Sequence, residues 1–232
     1  MNGQDVILEE PKDFIKITDY DEVELEIIEM VKGKKIKKTV KKKKYKIYNE
    51  KKYNSVIYAL QKGPLTLDEI TKIYNELTNE SKKKITVYTY VQDLITTGFV
   101  IKAGKRLTKN KNGKIISDTL YSHAAKIIFH ESLDYWKKKE MEVIASKIGE
   151  VYDLYAKKTS STKESTKELL EKIHLKGENE IQNFLKENVD EFLEIIGFEH
   201  FKDVNTILRK LGEIIILTKY NDFISEINKL KK

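Results

Sequence analysis

The sequence of 232 residues predicts a mostly α-helical protein with a small β wing, which places it in the α+β class. Two observations carry this prediction. Between residues 63 and 121 two helical patterns follow each other closely, and a lysine-rich stretch with strand formers and an Asn-Gly turn comes after them. Beyond residue 122 apolar residues recur at intervals of three and four, which is typical of amphipathic helices. We therefore expect a helix pair with a hairpin, followed by an all-helical C-terminal region.

The first helix of the pair has a clear start at Thr66. Glu69 lies three residues later, so the two residues are expected to form a capping box. Pro64 prevents the preceding helix, which is predicted from Tyr53 to Gly63, from continuing. One apolar face then recurs at helical spacing, formed by Ile70, Ile73, Tyr74 and Leu77.

The second helix is predicted from about Lys84 to Thr97, and Gly98 follows where a helix ends easily in a left-handed residue. One face is apolar and would pack on the first helix, through Val87, Val91, Leu94 and Ile95. The opposite surface is polar, with cations at its start, and such side chains suit contacts to phosphates and base edges. These candidate contacts are Lys82, Lys83, Lys84, Thr86, Tyr88, Thr89, Tyr90 and Gln92.

The wing, residues 99–121, is predicted to be a hairpin. Residues 99–101 are strand formers, Asn112-Gly113 is a strong turn dipeptide, and residues 115–121 supply the return strand. A basic hairpin of this kind lies along the phosphate backbone or enters the minor groove. Its candidate contacts are Lys102, Lys105, Arg106, Lys109, Lys111 and Lys114.

Residues 48–130 resemble the winged helix-turn-helix domains of archaeal and bacterial transcription regulators of the ArsR/MarR type. The pattern G-P-x-T-x-x-E-[IL] begins at Gly63, and T-V-x-x-x-[LV]-x-x-L-x-x-x-G-[LF]-[VI] begins at Thr86. The resemblance implies a DNA-binding transcription regulator of archaeal origin, with a recognition helix at 84–97 and the wing on double-stranded DNA. Two features depart from the family: the link from Leu77 to Thr86 is longer than its tight turn, and the absence of cysteine excludes the thiolate metal sensing of some members.

Residues 1–47 form a charged N-terminal extension. Residues 1–31 hold ten acids and two lysines, whereas residues 32–46 hold ten lysines and no acid. Val23, Leu25 and Ile27 alternate with glutamates, so we favour a β-hairpin that turns at Lys32-Gly33 and faces opposite charges across its strands. The alternative is an amphipathic helix that stops at Gly33. Residues 1–13 are predicted to be disordered, and the lysine run 41–44 is interpreted as a solvated face, with DNA contact as its alternative.

The region after the wing is predicted to be helical, beginning with residues 127–129. A long helix at 131–158 carries a seam of apolar residues that steps by three and four: Met141, Ile144, Ile148, Val151 and Tyr155. In the regulators such a helix commonly forms the dimer interface, so we expect a homodimer. Packing of the seam on the chain's own C-terminal helices is an equal alternative. A polar linker at 157–166 leads into a helical C-terminal domain at 159–232, and Trp136 is expected to be a core or interface anchor.

Several classes of function are not expected. No phosphate-binding loop, metalloprotease signature or Ser/His/Asp signature occurs, so we expect neither an enzyme nor a cofactor. His123 and His130 are seven apart but have no carboxylate pattern beside them, so no metal site is expected. The chain has no apolar run long enough for a bilayer and no cysteine, which predicts a cytoplasmic protein without a membrane partner.

Two functions remain. The first is a DNA-binding transcription regulator, which the basic helix start and the basic wing favour. The alternative is a winged-helix protein-interaction module of a transcription or membrane-remodelling complex, whose binding face would hold more apolar and mixed-charge residues.

Overall fold

The computed structural model describes residues 4–31, 34–61, 63–110, 112–132, 139–156, 163–197, 201–221 and 225. The chain divides into two units, Met1–Ile128 and Phe129–Lys232. The elements of the first unit are β1 (Gln4–Ile7), β2 (Lys12–Thr18), β3 (Glu22–Val31), β4 (Lys34–Lys43), α1 (Lys44–Asn49), α2 (Lys51–Leu60), β5 (Leu65–Thr66), α3 (Leu67–Thr78), α4 (Lys84–Thr97), β6 (Val100–Lys109) and β7 (Ile115–His123). Strand β8 (Ala125–Glu131) runs from the first unit into the second.

The core of the first unit lies among α2, α3 and α4, which contact one another in all three pairs. Each helix contributes an apolar face at helical spacing, and burying these faces is the main favourable term for the unit. The side chains at the centre are almost inaccessible to solvent, among them Tyr53, Val56, Ile70, Val87, Val91 and Leu94. Phe99, directly after α4, packs edge-to-face on Tyr48 with ring centroids 5.2 Å apart.

An antiparallel sheet in the order β1-β6-β7-β5 covers this core. Strands β6 and β7 form the wing, with a register that runs from Val100↔His123 to Lys109↔Ile115. Strand β5 directly precedes α3 and pairs with β7 through Leu65↔Tyr121. Strand β1 extends the sheet on its other side, with Gln4 opposite Leu107 and Ile7 opposite Gly104.

The N-terminal charges form a ladder across the hairpin β3–β4. Glu22 lies opposite Lys43 and Glu24 opposite Lys41, with carboxylate-to-ammonium distances of 2.8 and 3.6 Å. The other face presents Val23, Leu25 and Ile27, of which Leu25 is buried. The interpretation of this segment as a hairpin is confirmed and the helical alternative is wrong, while the turn at Lys32-Gly33 lies outside the described residues.

The predicted fold class, mostly α with a small wing, is wrong. The described residues form eight strands in three sheets, and β-structure dominates the N-terminal part of the chain. Part of the segment that was expected to be disordered, residues 1–13, forms strand β1. All side chains of β1 are exposed, so this strand does not alternate between buried and exposed positions. The predicted helix start at 127–129 lies in β8, which pairs with β2. A short continuous apolar run such as Ile127–Phe129 fits a buried strand as well as a helix, and the pairing with β2 decides between them.

The second unit is helical after β8, with α5 (Lys139–Ala156), α6 (Lys163–Ile196) and α7 (Phe201–Lys219). Helix α6 contacts both α5 and α7. Non-helical angles at Asn188 (φ −134°, ψ 25°) mark a kink within α6. Gly197 follows the last residue of α6 with a left-handed φ of 61°. Trp136 lies outside the described residues.

Candidate nucleic-acid interface

Helix α4 presents one solvent-facing side at the surface of the first unit. Its inner face is fixed by Val87, Val91 and Leu94, each with no exposed surface. The opposite side exposes Ile85 (68%), Tyr88 (37%) and Thr89. The predicted bounds, Lys84–Thr97, are confirmed, and Gly98 ends the helix with a left-handed φ of 78°.

The start of α3 and the link to α4 are fixed by hydrogen bonds. The predicted capping box is present: Thr66 N donates to Glu69 Oε2 (2.8 Å), and Glu69 N donates to Thr66 Oγ1 (3.4 Å). The longer link is closed by Asn75, whose Oδ1 accepts from Lys82 N (2.8 Å) and whose Nδ2 donates to Lys82 O (3.0 Å). Asn79 ends α3 in the left-handed region, with φ 54°. These contacts hold the N-terminal end of α4 in place despite the extra residues.

Three of the predicted contacts on α4 do not share its exposed side. Tyr90 is half-buried and packs on Tyr53 and Tyr74, with ring centroids 6.1 and 5.8 Å away. Gln92 is also half-buried, and its side-chain nitrogen has no hydrogen-bond partner in the described part of the chain. Thr86 is half-buried too. The face available to a ligand is therefore narrower than the sequence predicted.

Strand β3 of the N-terminal hairpin also contacts α4. Tyr53 of α2 donates a hydrogen bond to Asp93 of α4, with 2.7 Å between Oη and Oδ2. Burial raises the pKa of Asp93, although the hydrogen bond from Tyr53 and the nearby Lys52 and Lys42 act in the opposite direction. One flank of α4 is thus an internal contact of the first unit.

The cations at the start of α4 differ in their surroundings. Lys84 forms an ion pair with Asp68 (2.7 Å), and Lys82 forms one with Glu80 (3.4 Å). Lys83 is the N-cap, is exposed and has no ion pair among the described residues. An exposed cation here does not benefit from the helix dipole, which favours anions at this end, so Lys83 remains available to a phosphate.

The wing is a twisted hairpin with a basic, solvent-exposed surface. Its turn is organised by Asn110, whose Oδ1 accepts from Asn112 N (3.0 Å) and Lys114 N (2.9 Å), and Gly113 takes a φ of 74°. Lys111 lies outside the described residues. Four predicted contacts are exposed and have no ion pair within the described ranges, namely Lys102, Lys105, Lys109 and Lys114.

Arg106 departs from its predicted role in the wing. Its Nε and Nη2 donate to Asp5 at 2.6 and 2.8 Å, and its Nη1 donates to Glu69 at 2.6 Å. The sequence missed this because Asp5 is 101 residues away along the chain and reaches Arg106 only through the pairing of β1 with β6. Arg106 therefore joins β1, β6 and the start of α3, and its charge is balanced within the protein.

A small basic cleft of about 250 Å³ lies beside α4 on the side of α2, and the sequence did not indicate it. Lys51, Lys52 and Lys82 supply cations, and Tyr74 and Tyr90 supply aromatic surface. Lys52 Nζ lies 4.4 Å from the ring centroid of Tyr53 and 5.5 Å from that of Tyr90. The adjacent lysines at the start of α2 were the available signal, but their proximity to Lys82 depends on the tertiary fold.

His123 is an internal residue. Its Nε2 lies 2.6 Å from the backbone oxygen of Ile57, and burial lowers its pKa despite that contact, so a neutral ring is expected. The backbone N of His130 donates to Asn205 Oδ1 at 2.9 Å. His200 lies outside the described residues.

The chain matches no protein-family model, and no curated protein is significantly similar to it. In the described residues no helix combines the length and the apolar character that a bilayer crossing requires.

Proposed function

We propose that the chain binds double-stranded DNA through α4 and the wing and acts as a transcription regulator of the ArsR/MarR-like type. One observation carries the proposal: the exposed side of α4 starts at the available cation Lys83, and four exposed wing lysines have no ion pair among the described residues. An α-helix fits the major groove of B-DNA, and lysines beside it neutralise phosphates and release counterions. A cytoplasmic location stays a prediction from the sequence.

The direct contacts to bases come from the middle of α4 in this proposal. Tyr88 and Thr89 are exposed, and both offer a hydroxyl group together with apolar surface that can meet a thymine methyl. Tyr90 and Gln92, which the sequence also suggested, are assigned to packing instead, because both are half-buried.

A second function has a specific observation in its favour. Ile85 is 68% exposed on the same side of α4, and Ile115 is 61% exposed on the wing. Large exposed apolar side chains are typical of surfaces that bind protein. The alternative is therefore a protein-interaction module that uses the same face.

The test is selection of duplexes from a random DNA library with the full chain, followed by affinity measurements on the selected and a scrambled duplex. Replacing Tyr88 and Thr89 together by alanine should reduce the preference for the selected duplex, since each good base contact is worth about 1–3 kcal/mol of discrimination. Lys186→Gln, an exposed change on α6, is the matched control and should leave the preference unchanged. Failure to enrich any duplex, with no binding to either DNA, would favour the protein-interaction module.

A further inference from the structure

The small basic cleft beside α4 is built by several elements of the first unit. Its lining comes from the start of α2, the end of α3, the link that follows α3 and the middle of α4, namely Lys51, Lys52, Tyr74, Thr78, Glu80, Lys82 and Tyr90. Its volume of about 250 Å³ is slightly below the roughly 300–1,000 Å³ that is usual for sites of drug-sized molecules. The cleft is therefore suited to a compact head group.

The charged side chains that line the cleft are mostly positive. Three lysines and one glutamate give the lining two net positive charges. The glutamate is Glu80, whose Oε2 lies 3.4 Å from Lys82 Nζ. Lys51 is exposed and has no ion pair in the part of the chain that the structure describes. The cleft thus has an excess of positive charge that an anion can neutralise.

Glu50, which stands next to the cleft, does not cancel this excess. Its Oε2 lies 3.8 Å from Lys52 Nζ, but its Oε1 pairs with Lys42 Nζ at the shorter distance of 2.6 Å. One carboxylate therefore serves two lysines, of which only Lys52 lines the cleft.

Two phenol groups add hydrogen-bond donors to the lysines. Tyr74 and Tyr90 line the cleft with their ring centroids 5.8 Å apart, and neither hydroxyl has a hydrogen-bond partner among the described residues. Burial raises the pKa of Tyr74 to about 12, with smaller contributions from Tyr90 and Glu80, so this phenol keeps its proton at neutral pH. A protonated hydroxyl can donate a hydrogen bond to an anionic oxygen.

We propose that this cleft binds the phosphate group of a small phosphorylated molecule, a phosphate monoester, through Lys51, Lys52 and Lys82. The hydroxyls of Tyr74 and Tyr90 serve as further donors. Above its second pKa of about 6 a phosphate monoester carries up to two negative charges and has three strong acceptor oxygens, which suits a lining with two net positive charges and several donors. A phosphate of the DNA backbone is a diester with a single charge and matches the lining less well. The proposal does not depend on DNA binding.

The experiment titrates three probes that share one aromatic ring into the full chain: phenyl phosphate, methyl phenyl phosphate and benzyl alcohol. Isothermal titration calorimetry at about pH 7.5 and constant ionic strength compares head groups with charges of about minus two, minus one and zero. We expect phenyl phosphate to bind at least about tenfold more tightly than the diester, and the alcohol to show no measurable binding. The diester stands for a backbone phosphate, so this comparison separates the two sources of phosphate.

Two double variants locate the binding. Lys51→Gln with Lys82→Gln should weaken the binding of phenyl phosphate at least about tenfold, because two of the three cations are lost. Lys46→Gln with Lys72→Gln removes the same charge from exposed positions on α1 and α3 that do not line the cleft, and should leave the affinity unchanged. Circular dichroism melting checks that each variant is folded.

The role of the phenol groups is tested separately. Tyr90→Phe keeps the ring in its packing and removes only the hydroxyl, so it should weaken the binding of phenyl phosphate roughly fivefold. Tyr58→Phe makes the same change at a position of α2 outside the lining and should have no effect.

The proposal is wrong if the wild type does not bind phenyl phosphate, or if the folded Lys51→Gln, Lys82→Gln variant binds it as tightly as the wild type. Equal weakening by the Lys46→Gln, Lys72→Gln variant would also overturn it, because net charge and not the cleft would then govern binding. Equal or tighter binding of the diester would assign the cleft to a backbone phosphate instead. If the Lys51→Gln, Lys82→Gln variant does not fold, the probe series and Tyr90→Phe still decide between these results.

Discussion

At the scale of the residue, Arg106 shows how a basic side chain in a basic hairpin can be structural. It donates to Asp5 and Glu69 at 2.6–2.8 Å, and Glu69 also completes the capping box of α3. The first strand, the wing and the start of α3 are therefore joined at one guanidinium, which a planar group with several donors is suited to do.

Replacing Arg106 by glutamine should lower the free energy of unfolding by about 1–2 kcal/mol, because two carboxylates lose charged hydrogen bonds yet keep partial access to water. Urea denaturation measures the change. Lys109→Gln is the control on the same strand and should change stability by less than about 0.5 kcal/mol. Equal effects of the two substitutions would contradict the structural role of Arg106.

The same ion pairs should make stability pH-dependent in acid. The hydrogen bond from Arg106 lowers the pKa of Asp5. Burial raises the pKa of Glu69, but hydrogen bonds from Thr66 and Arg106 outweigh burial, so its pKa is also lowered. A carboxyl with a lowered folded-state pKa contributes stability that is complete above its unfolded-state pKa of about 4 and is lost as the pH falls through the folded-state value. Between about pH 5 and about pH 2 the wild type should lose more stability than Arg106→Gln.

Gly104 is a second residue with a role that the sequence does not reveal. A Cβ at this position would lie 2.1 Å from the backbone oxygen of Val6, so only glycine allows β1 to approach β6. Gly104→Ala should separate β1 from the sheet and cost about 1–3 kcal/mol, as overpacking usually does.

Amide hydrogen exchange checks this expectation at Leu8 and Glu9, whose backbone N–H groups donate to Ala103 O. Both should lose protection in Gly104→Ala. Gly113→Ala is the control, since its added Cβ meets nothing within 4 Å although its φ is 74°. The destabilisation caused by Gly113→Ala should stay local to the turn. If Leu8 and Glu9 kept their protection in Gly104→Ala, strand β1 would tolerate the added side chain and the expectation would be wrong.

At the scale of the element, the wing is expected to contact the phosphate backbone. Changing Lys105, Lys109 and Lys114 to glutamine should weaken binding to all duplexes alike. It should also flatten the slope of log affinity against log salt by roughly two to three units, at about 0.9 per phosphate.

The hairpin β3–β4 provides a control with the same loss of charge. Lys37, Lys41 and Lys43 already form ion pairs with Glu26, Glu24 and Glu22, so changing these three lysines to glutamine should leave the slope nearly unchanged. If both triple variants flatten the slope of log affinity against log salt equally, the slope depends only on net charge. If the wild type and the wing variant give parallel lines in this plot, the wing does not contact DNA.

The elements that the sequence predicted well are those with local signals. The capping box at Thr66 and Glu69, the end of α4 at Gly98 and the turn around Gly113 depend on residues within a few positions of one another. Strands β1, β2 and β8 could not be predicted in this way, because their stability comes from pairing with distant segments. The same limit applies to the candidate site. From the sequence, Arg106 and Tyr90 are expected to contact DNA, but the fold places Asp5 beside Arg106 and Tyr53 beside Tyr90.

At the scale of the whole molecule, we propose that the predicted homodimer forms through α5. The apolar seam of α5 is only partly buried. Met141 is buried, whereas Ile144 and Ile148 are 42% and 41% exposed and Val151 is 66% exposed. Leu154, which the seam did not include, is 81% exposed, and the side chain of Tyr155 lies outside the described residues. Part of the seam is thus internal and part is available to a second copy.

Replacing Val151 and Leu154 together by aspartate should convert a dimer into a monomer, because two charges would be buried in an apolar interface. Light scattering at micromolar concentrations measures the mass of both proteins. The matched control is Glu150→Asp with Lys147→Arg, which keeps both charges on the same helix and should leave the mass unchanged. A monomeric wild type would exclude this dimer.

The pairing of β1 with β6 also has a consequence for the time course of folding. Asp5 leaves the ribosome 101 residues before Arg106, and synthesis at about 5–20 residues per second therefore separates them by roughly 5–20 s. During that interval β1 has no partner strand, while the hairpin β3–β4, whose strands are adjacent in sequence, can already close. Strand β1 can consequently join its sheet only after β6 has been synthesised.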